Sequence, residues 1–331
     1  NDVILAGDVG GTKTLLVLYR MEGDELIVER EQQYRSGDFQ SLEAIIQQFM
    51  LGHEPVFAAG FGVAGPVVDG VSRTTNLPWV IEASVLSRRL GDIPVVLIND
   101  LQAAALGILA LSPDDMIELN PNAEPRVGTA SVIAAGTGLG EALLYFDGVL
   151  HHPIPTEGGH CDFAPNSPLE DDLLRFLRDR FGGHVSYERI LSGDGFRHLY
   201  DFLKDAGHAI ERDEVRHALE TESDPNTVIT RYGVSGDDPL CVKTVQLFAR
   251  IYGAEAGNLA LKSLSVGGVY VSGAIAGHIL PVLKAGTFMD GFLDKGRFAE
   301  LLSKIPVRVV TNPKVPLIGA ALAAKRKLGA H

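Results

Sequence analysis

The chain has 331 residues, 46% of them hydrophobic and 21% charged, a length beyond which a single core stops growing, so two domains or lobes are expected. A formal net charge of -13 without any Lys/Arg cluster excludes a nucleic-acid-binding face. The absence of a run of roughly 20 apolar residues, or of a basic-then-apolar leader, excludes a membrane span and export. Only Cys161 and Cys241 are present, without Cys-x-x-Cys spacing, which points to a reducing cytoplasm rather than a disulfide framework or a zinc knuckle. Asn1 in place of Met leaves room for a removed leader, and the ending Gly329-Ala330-His331 is no peroxisomal signal.

In chain order, residues 3–7 form an apolar run, Asp8-Val9-Gly10-Gly11-Thr12-Lys13-Thr14 interrupts it, and residues 15–19 resume a strand pattern. Ser41 precedes a helical segment over 42–50, 94–98 reads as a buried strand, and 101–111 reads as a helix. Residues 131–148 repeat the opening device: a strand to Ala135, the turn Gly136-Thr137-Gly138-Leu139-Gly140, then a strand over 142–146. Ser167-Pro168-Leu169-Glu170 is a capping box with Pro at the first helical position, and the helix it opens stops at Gly182-Gly183. A long helix over 242–265 follows, with Val245, Phe248 and Tyr252 assigned to core, then a strand at 269–272 and a final helix over 316–328. The alternation is that of an α/β protein, and the repeated strand-turn-strand implies two related lobes, each presenting a glycine loop.

Neither loop fits a standard nucleotide motif. Thr12 stands where a P-loop needs Gly, and a strand follows where a helix is required. The 136–140 turn also lacks the helix and the distal acid of a dinucleotide fold. Glycines and a Thr hydroxyl in a tight hairpin can still turn donors towards phosphate, and two such loops can cradle adjoining phosphates. A hairpin closure with no ligand is the competing reading. Asp8 at the mouth of the first loop would repel bare phosphate, so it implies a magnesium-nucleotide, with an Asx turn as the alternative.

The run Val95-Val96-Leu97-Ile98-Asn99-Asp100 places a carboxylate at a strand's carboxyl end, where open sheets bind ligands and where it can accept a proton from an attacking hydroxyl. Helix capping by Asp100 is the plainer role. Glu157-Gly158-Gly159-His160 sets an acceptor and a donor/acceptor around two glycines, a lining suited to a polyol. His151, His152, Glu157, His160, Cys161 and Asp162 lie close in sequence but lack zinc spacing.

Residues 8–12, Asn99-Asp100, 136–140, 157–165, 188–193 and 267–273 together resemble the bacterial glucokinase family, in order and spacing along nearly the whole chain. The string Glu157-Gly158-Gly159-His160-Cys161-Asp162-Phe163-Ala164-Pro165 is the most specific part. The resemblance implies a two-lobed actin/hexokinase-like (ribonuclease H-like) fold, with a cleft between a small α/β domain (1–110 with 312–331) and a larger α+β domain (111–311). It implies ATP-dependent phosphorylation of glucose on its 6-hydroxyl, Asp100 acting as base and Asn99, Asp100, Glu157, His160 and Glu188 holding the sugar. Asp8 would position Mg2+ with ATP, Gly10, Gly11, Thr12, Gly136, Thr137 and Gly138 would face phosphates, and Gly273 would lie near adenosine. A homodimer is what the family implies.

Two positions depart from the family pattern: Asp194 stands where Pro is frequent, and Thr156 where Gly is common. They bear on loop shape and sugar preference. The Cys-rich zinc motif of the sister ROK kinases is absent, as is a helix-turn-helix extension. A kinase for fructose, mannose or an amino sugar, and a nucleotide-switch ATPase of the actin or chaperone type, are the rival functions. The second has no use for a sugar-lining loop.

Overall fold

A computed structural model describes residues 3–74 and 76–329; Asn1, with the bearing of its identity on a leader, and Ala330-His331 lie outside the described residues. The chain divides into two compact units, Asn1–Asp115 with Asn312–His331, and Met116–Thr311.

In the first unit, β1 (Val3–Val9) and β2 (Lys13–Glu22) form an antiparallel hairpin, and β3 (Glu25–Arg35) extends it. β4 (Ala58–Val63) pairs parallel with β1. A small separate sheet holds β5 (Val67–Val68), β6 (Val71–Arg73) and β7 (Val80–Glu82), and β8 (Val95–Asn99) then pairs parallel with β4. Both faces of the main sheet are covered. Leu5, Leu16, Phe61 and Leu97 pack with Ile45 and Phe49 of the Leu42–Phe49 helix on one side, while Ile4, Ala6, Val17 and Tyr19 meet Leu317, Ala320 and Ala324 of the Val315–Leu328 helix on the other. Such two-sided burial suits the near-continuous apolar runs of β1, β4 and β8. The Val315–Leu328 helix also lies against the Asp100–Ile108 helix at glycine contacts: a Cβ on Gly319 would overlap the Ala103 carbonyl, and one on Gly107 the Val315 carbonyl. That closeness fixes the helix that begins at Asp100.

The second unit repeats the arrangement. β9 (Met116–Glu118), β10 (Ala130–Ala135), β11 (Leu139–Phe146), β12 (His151–Pro155), β13 (Gly268–Ser272) and β14 (Val307–Val310) form one sheet in the order β12-β11-β10-β13-β14-β9. Its first five strands reproduce the order and senses of β3-β2-β1-β4-β8, with two antiparallel neighbours followed by two parallel ones. The two glycine loops therefore occupy equivalent turns, β1–β2 and β10–β11. The core here gathers around the Pro239–Ser263 helix, where Val245, Phe248 and Tyr252 are fully buried. Tyr252 does more than fill space, because its hydroxyl accepts a hydrogen bond from the Ala135 amide at 3.1 Å, at the entry to the second loop.

Candidate active site

In the first unit, the hairpin turn after β1 is held from below. Gly10 donates to the Lys13 carbonyl at 2.9 Å, while Ser36 donates from Oγ to the Gly10 carbonyl at 2.7 Å and from its amide to the Thr12 carbonyl at 3.0 Å. Among the described residues, the amides of Gly11 and Thr12 have no such partner. The turn commits the Gly10, Thr12 and Lys13 carbonyls and leaves two amide donors unpaired among the described residues, as an anion site needs. None of these glycines has left-handed backbone; Gly11 is instead confined by Asn76, whose Cβ would lie 3.2 Å from an added Cβ.

Asn99 and Asp100 divide the work expected of Asp100 alone. The helix cap is Asn99: its Oδ1 accepts from the Gln102 amide at 2.8 Å, and the Gln102 side chain accepts from the Asn99 amide at 3.3 Å, a complete capping box. Asn99 keeps its side-chain NH2 free of that box. Asp100 is the first helical residue, with one carboxylate oxygen accepting from the Leu101 amide at 2.9 Å. Although the residue is solvent-exposed, desolvation pushes the Asp100 carboxyl above its ordinary range, against the lowering effect of bonds from the Leu101 amide and its own. Burial first, and the Asp100 charge second, push Asp8 up to about 6. The two carboxylates thus sense each other at the carboxyl ends of β1 and β8.

In the second unit, the β10–β11 turn follows the same plan. Gly136 donates to the Gly138 carbonyl at 2.9 Å and its own carbonyl accepts from the Gly193 amide at 2.8 Å, while the Thr137 and Gly138 amides have no partner among the described residues. Glu188 joins this loop to the 157–160 turn. One of its oxygens accepts from the Leu139 amide at 3.0 Å, and the other stands 3.8 Å from His160 Nδ1. A Cβ on Gly138 would meet that carboxylate, which is the local reason for glycine. His160 Nε2 is 3.9 Å from Glu157, so the imidazole stands between two carboxylates without a close bond to either. All three side chains are open enough to reach a ligand, Glu157 being 86% exposed.

Thr156, one of the two departures, pins the loop. Its hydroxyl donates to the Glu141 carbonyl at 2.7 Å and accepts from the Gly158 amide at 3.1 Å. The imidazoles considered for a metal are engaged elsewhere: His151 with the Gly128 carbonyl, and His152 with Asp147 at 2.6 Å. Asp162 pairs with His184 at 2.9 Å. Among the described residues, no group of three His, Cys, Asp or Glu side chains is arranged to hold a metal ion, and no helix is long and apolar enough to cross a membrane.

Gly273 has left-handed backbone, φ +88°, and a Cβ there would overlap the Ala135 carbonyl, so it adjoins the second glycine loop. A cavity of about 330 Å³ opens beside it, lined by Gly136, Thr137, Asp194, Asn226, Ala274 and His278 among others. Sequence reasoning did not find Asn226 and His278. Nothing in spacing ties residue 226 to a loop ninety positions earlier. Asp194, the other departure, is bonded to Asn226 at 3.3 Å at the rim of this cavity.

A glucokinase family model matches residues 5–327. A glucokinase of Trichormus variabilis is 41% identical, the alignment covering 98% of this chain and 99% of the relative. Among solved structures, a glucokinase from an Antarctic psychrotroph aligns with a TM-score of 0.88 at 27% identity, over 98% of this chain and 99% of that one. A glucokinase from Balamuthia mandrillaris, solved with glucose, aligns with a TM-score of 0.78 at 23% identity, over 98% and 94%. The fold is the actin/hexokinase-like one that the sequence resemblance implied.

Proposed function

The chain belongs to the glucokinase family and phosphorylates glucose, and on that premise we propose that Asp100 takes the proton from the 6-hydroxyl of the sugar as its oxygen attacks the γ-phosphorus of ATP. The bond from that phosphorus to the bridging oxygen breaks, ADP leaves with the electron pair, and glucose 6-phosphate forms. The observation that carries this reading is the division of labour at the end of β8. Asn99 caps the helix, so the Asp100 carboxylate, accessible to solvent and made more basic by desolvation, keeps an oxygen for the substrate.

The remaining roles follow from donor and acceptor chemistry. The free amides of Gly11, Thr12, Thr137 and Gly138, with Gly10 and Gly136 shaping their turns, are the phosphate donors, and Gly273 borders the cavity suited to the nucleoside. Asn99, Glu157, His160 and Glu188 supply the hydrogen bonds that a polyol requires. Magnesium bound with ATP supplies charge neutralisation at the phosphates. Asp8 would hold it through water, and a half-buried carboxylate beside a second one, its side chain with no hydrogen-bond partner among the described residues, fits a hydrated divalent cation.

The same proposal takes 1–110 with 312–331 and 111–311 as the two domains, a division supported by the compact units. It places the enzyme in the cytoplasm, in keeping with the free thiols of Cys161 and Cys241. Homodimer assembly rests on the family alone, and sedimentation equilibrium tests it. Coupled detection of ADP across glucose, fructose, mannose and N-acetylglucosamine tests the substrate; glucose should give the highest kcat/KM. Glu157→Ala should raise KM for glucose by about tenfold or more, the scale of one lost hydrogen bond to a charged group, and leave KM for ATP unchanged. An unaltered glucose KM would remove Glu157 from the sugar site.

A further inference from the structure

The imidazole of His160 stands 3.8 Å from Glu188 and 3.9 Å from Glu157, so no close bond of its own fixes its direction, and its aim is set by its backbone. That backbone lies just before a firm anchor. The Cys161 carbonyl accepts from the Tyr187 amide at 3.0 Å and the Phe163 amide donates to the Val185 carbonyl at 2.8 Å, so residues 161–163 pair with 185–187 as a short antiparallel bridge. Phe163, Val185 and Tyr187 root the bridge in the core, with the Phe163 and Tyr187 rings packed edge to face at 5.6 Å. The 157–160 turn overhangs this bridge, and His184 reaches across to it. Its Nε2 is 3.0 Å from the His160 carbonyl and its Nδ1 is 2.9 Å from Asp162 Oδ1. A carbonyl and a carboxylate both accept, so the ring, in its doubly protonated form, donates to both at once. Among the described residues, no other side chain bonds the His160 carbonyl.

We propose that His184 is a positioning residue for sugar binding: oriented by Asp162, its imidazole holds the His160 carbonyl and so aims the His160 ring at the sugar. This inference rests on the assignment of His160 as a sugar contact. An imidazole bonded to a carboxylate at one nitrogen presents the other in a fixed direction, and here that direction is the peptide joining His160 to Cys161. Maintenance of the fold does not account for the arrangement. The His184 side chain is 56% exposed and that of Asp162 is 90% exposed, and an ion pair so open contributes little to stability. Without the His184 bond the 160–161 peptide is free to turn, and the His160 ring turns with it. Glu188 keeps its bond from the Leu139 amide, and the Gly136 carbonyl keeps its bond from Gly193. Weakened sugar binding, with the phosphate loop undisturbed, is therefore the consequence.

The experiment is steady-state kinetics on the parent, His184→Ala, His184→Gln and His184→Asn, with His160→Ala and the combined His160→Ala/His184→Ala variant. His184→Ala should raise KM for glucose about fivefold or more, while KM for ATP and kcat move less than about twofold. A Gln amide sets a donor where Nε2 stands, and an Asn amide sets one only where Nδ1 stands. His184→Gln should therefore keep the glucose KM within about twofold of the parent, and His184→Asn should follow His184→Ala. Once His160 is Ala, removing His184 should change glucose KM less than about twofold, because the ring it aims is gone. A parental glucose KM in His184→Ala, equal movement of both KM values, a Gln variant no better than the Asn one, or full additivity with His160→Ala overturns the inference. If His184→Ala does not fold, the comparison of the Gln and Asn variants decides. A His160→Ala variant with the parent's glucose KM would instead show that the sugar-contact assignment is at fault, whereas a raised KM there with a parental KM in His184→Ala sinks the positioning role alone.

Discussion

Asp8 and Asp100 carry their negative charge in surroundings that resist it, and the consequence is a trade of stability for function. Asp8 titrates near 6 in the folded chain against an ordinary value of 3.8. Between those values the folded state holds more proton than the unfolded one, so stability is lost as pH rises through about 6, by up to about 3 kcal/mol. Asp8→Asn should therefore raise the melting midpoint of the ligand-free protein at pH 8 by about 2–6 °C, with a smaller gain at pH 5. Equal gains at both pH values would mean that ionisation is not the cause. The carboxylate at the end of β8 was legible because an unbroken apolar run ends on it. Its freedom from capping was not, since Asn and Asp both cap helices and only the position of Gln102 decides between them.

At the scale of elements, turns and caps set the loops proposed to meet substrate. Gly273→Ala imposes a Cβ both on left-handed backbone and on the Ala135 carbonyl. About 1–3 kcal/mol of destabilisation and a raised KM for ATP, with glucose KM little changed, are expected. A variant with parental ATP affinity would separate Gly273 from the nucleotide site. Ser167 caps the Pro168–Phe181 helix by accepting from the Glu170 amide at 3.2 Å. Ser167→Ala should cost about 1 kcal/mol by denaturant titration and leave turnover unchanged. Strong periodicity and punctuation made this helix readable, as they did the Leu42–Phe49 and Val315–Leu328 helices. The Asp213–Thr221 and Pro225–Ser235 helices were not foreseen, although the second supplies Asn226 and Thr227 to the cavity. Their short, mixed faces are completed by tertiary contact, which local pattern does not encode.

For the molecule as a whole, the duplicated hairpin seen as Gly-rich interruptions at 10–12 and 136–138 proved to be a duplicated five-strand sheet. Strand order was beyond the sequence because parallel pairing joins segments with no local signature. The residues proposed for the reaction fall in both units of the chain, Asp8, Asn99 and Asp100 in one and Glu157, His160, Glu188 and Gly273 in the other. ATP hydrolysis without sugar should therefore be a small fraction of glucose-dependent ADP release, because no aligned hydroxyl is present to attack. ADP release at comparable rates with and without glucose would favour a nucleotide switch. The most direct test of the central claim is single-turnover transfer from labelled ATP to glucose by Asp100→Asn, with thermal unfolding measured on the same sample. The account expects transfer slowed by about a hundredfold or more, in a protein at least as stable as the parent. Transfer at the parental rate by a folded Asp100→Asn protein would contradict it.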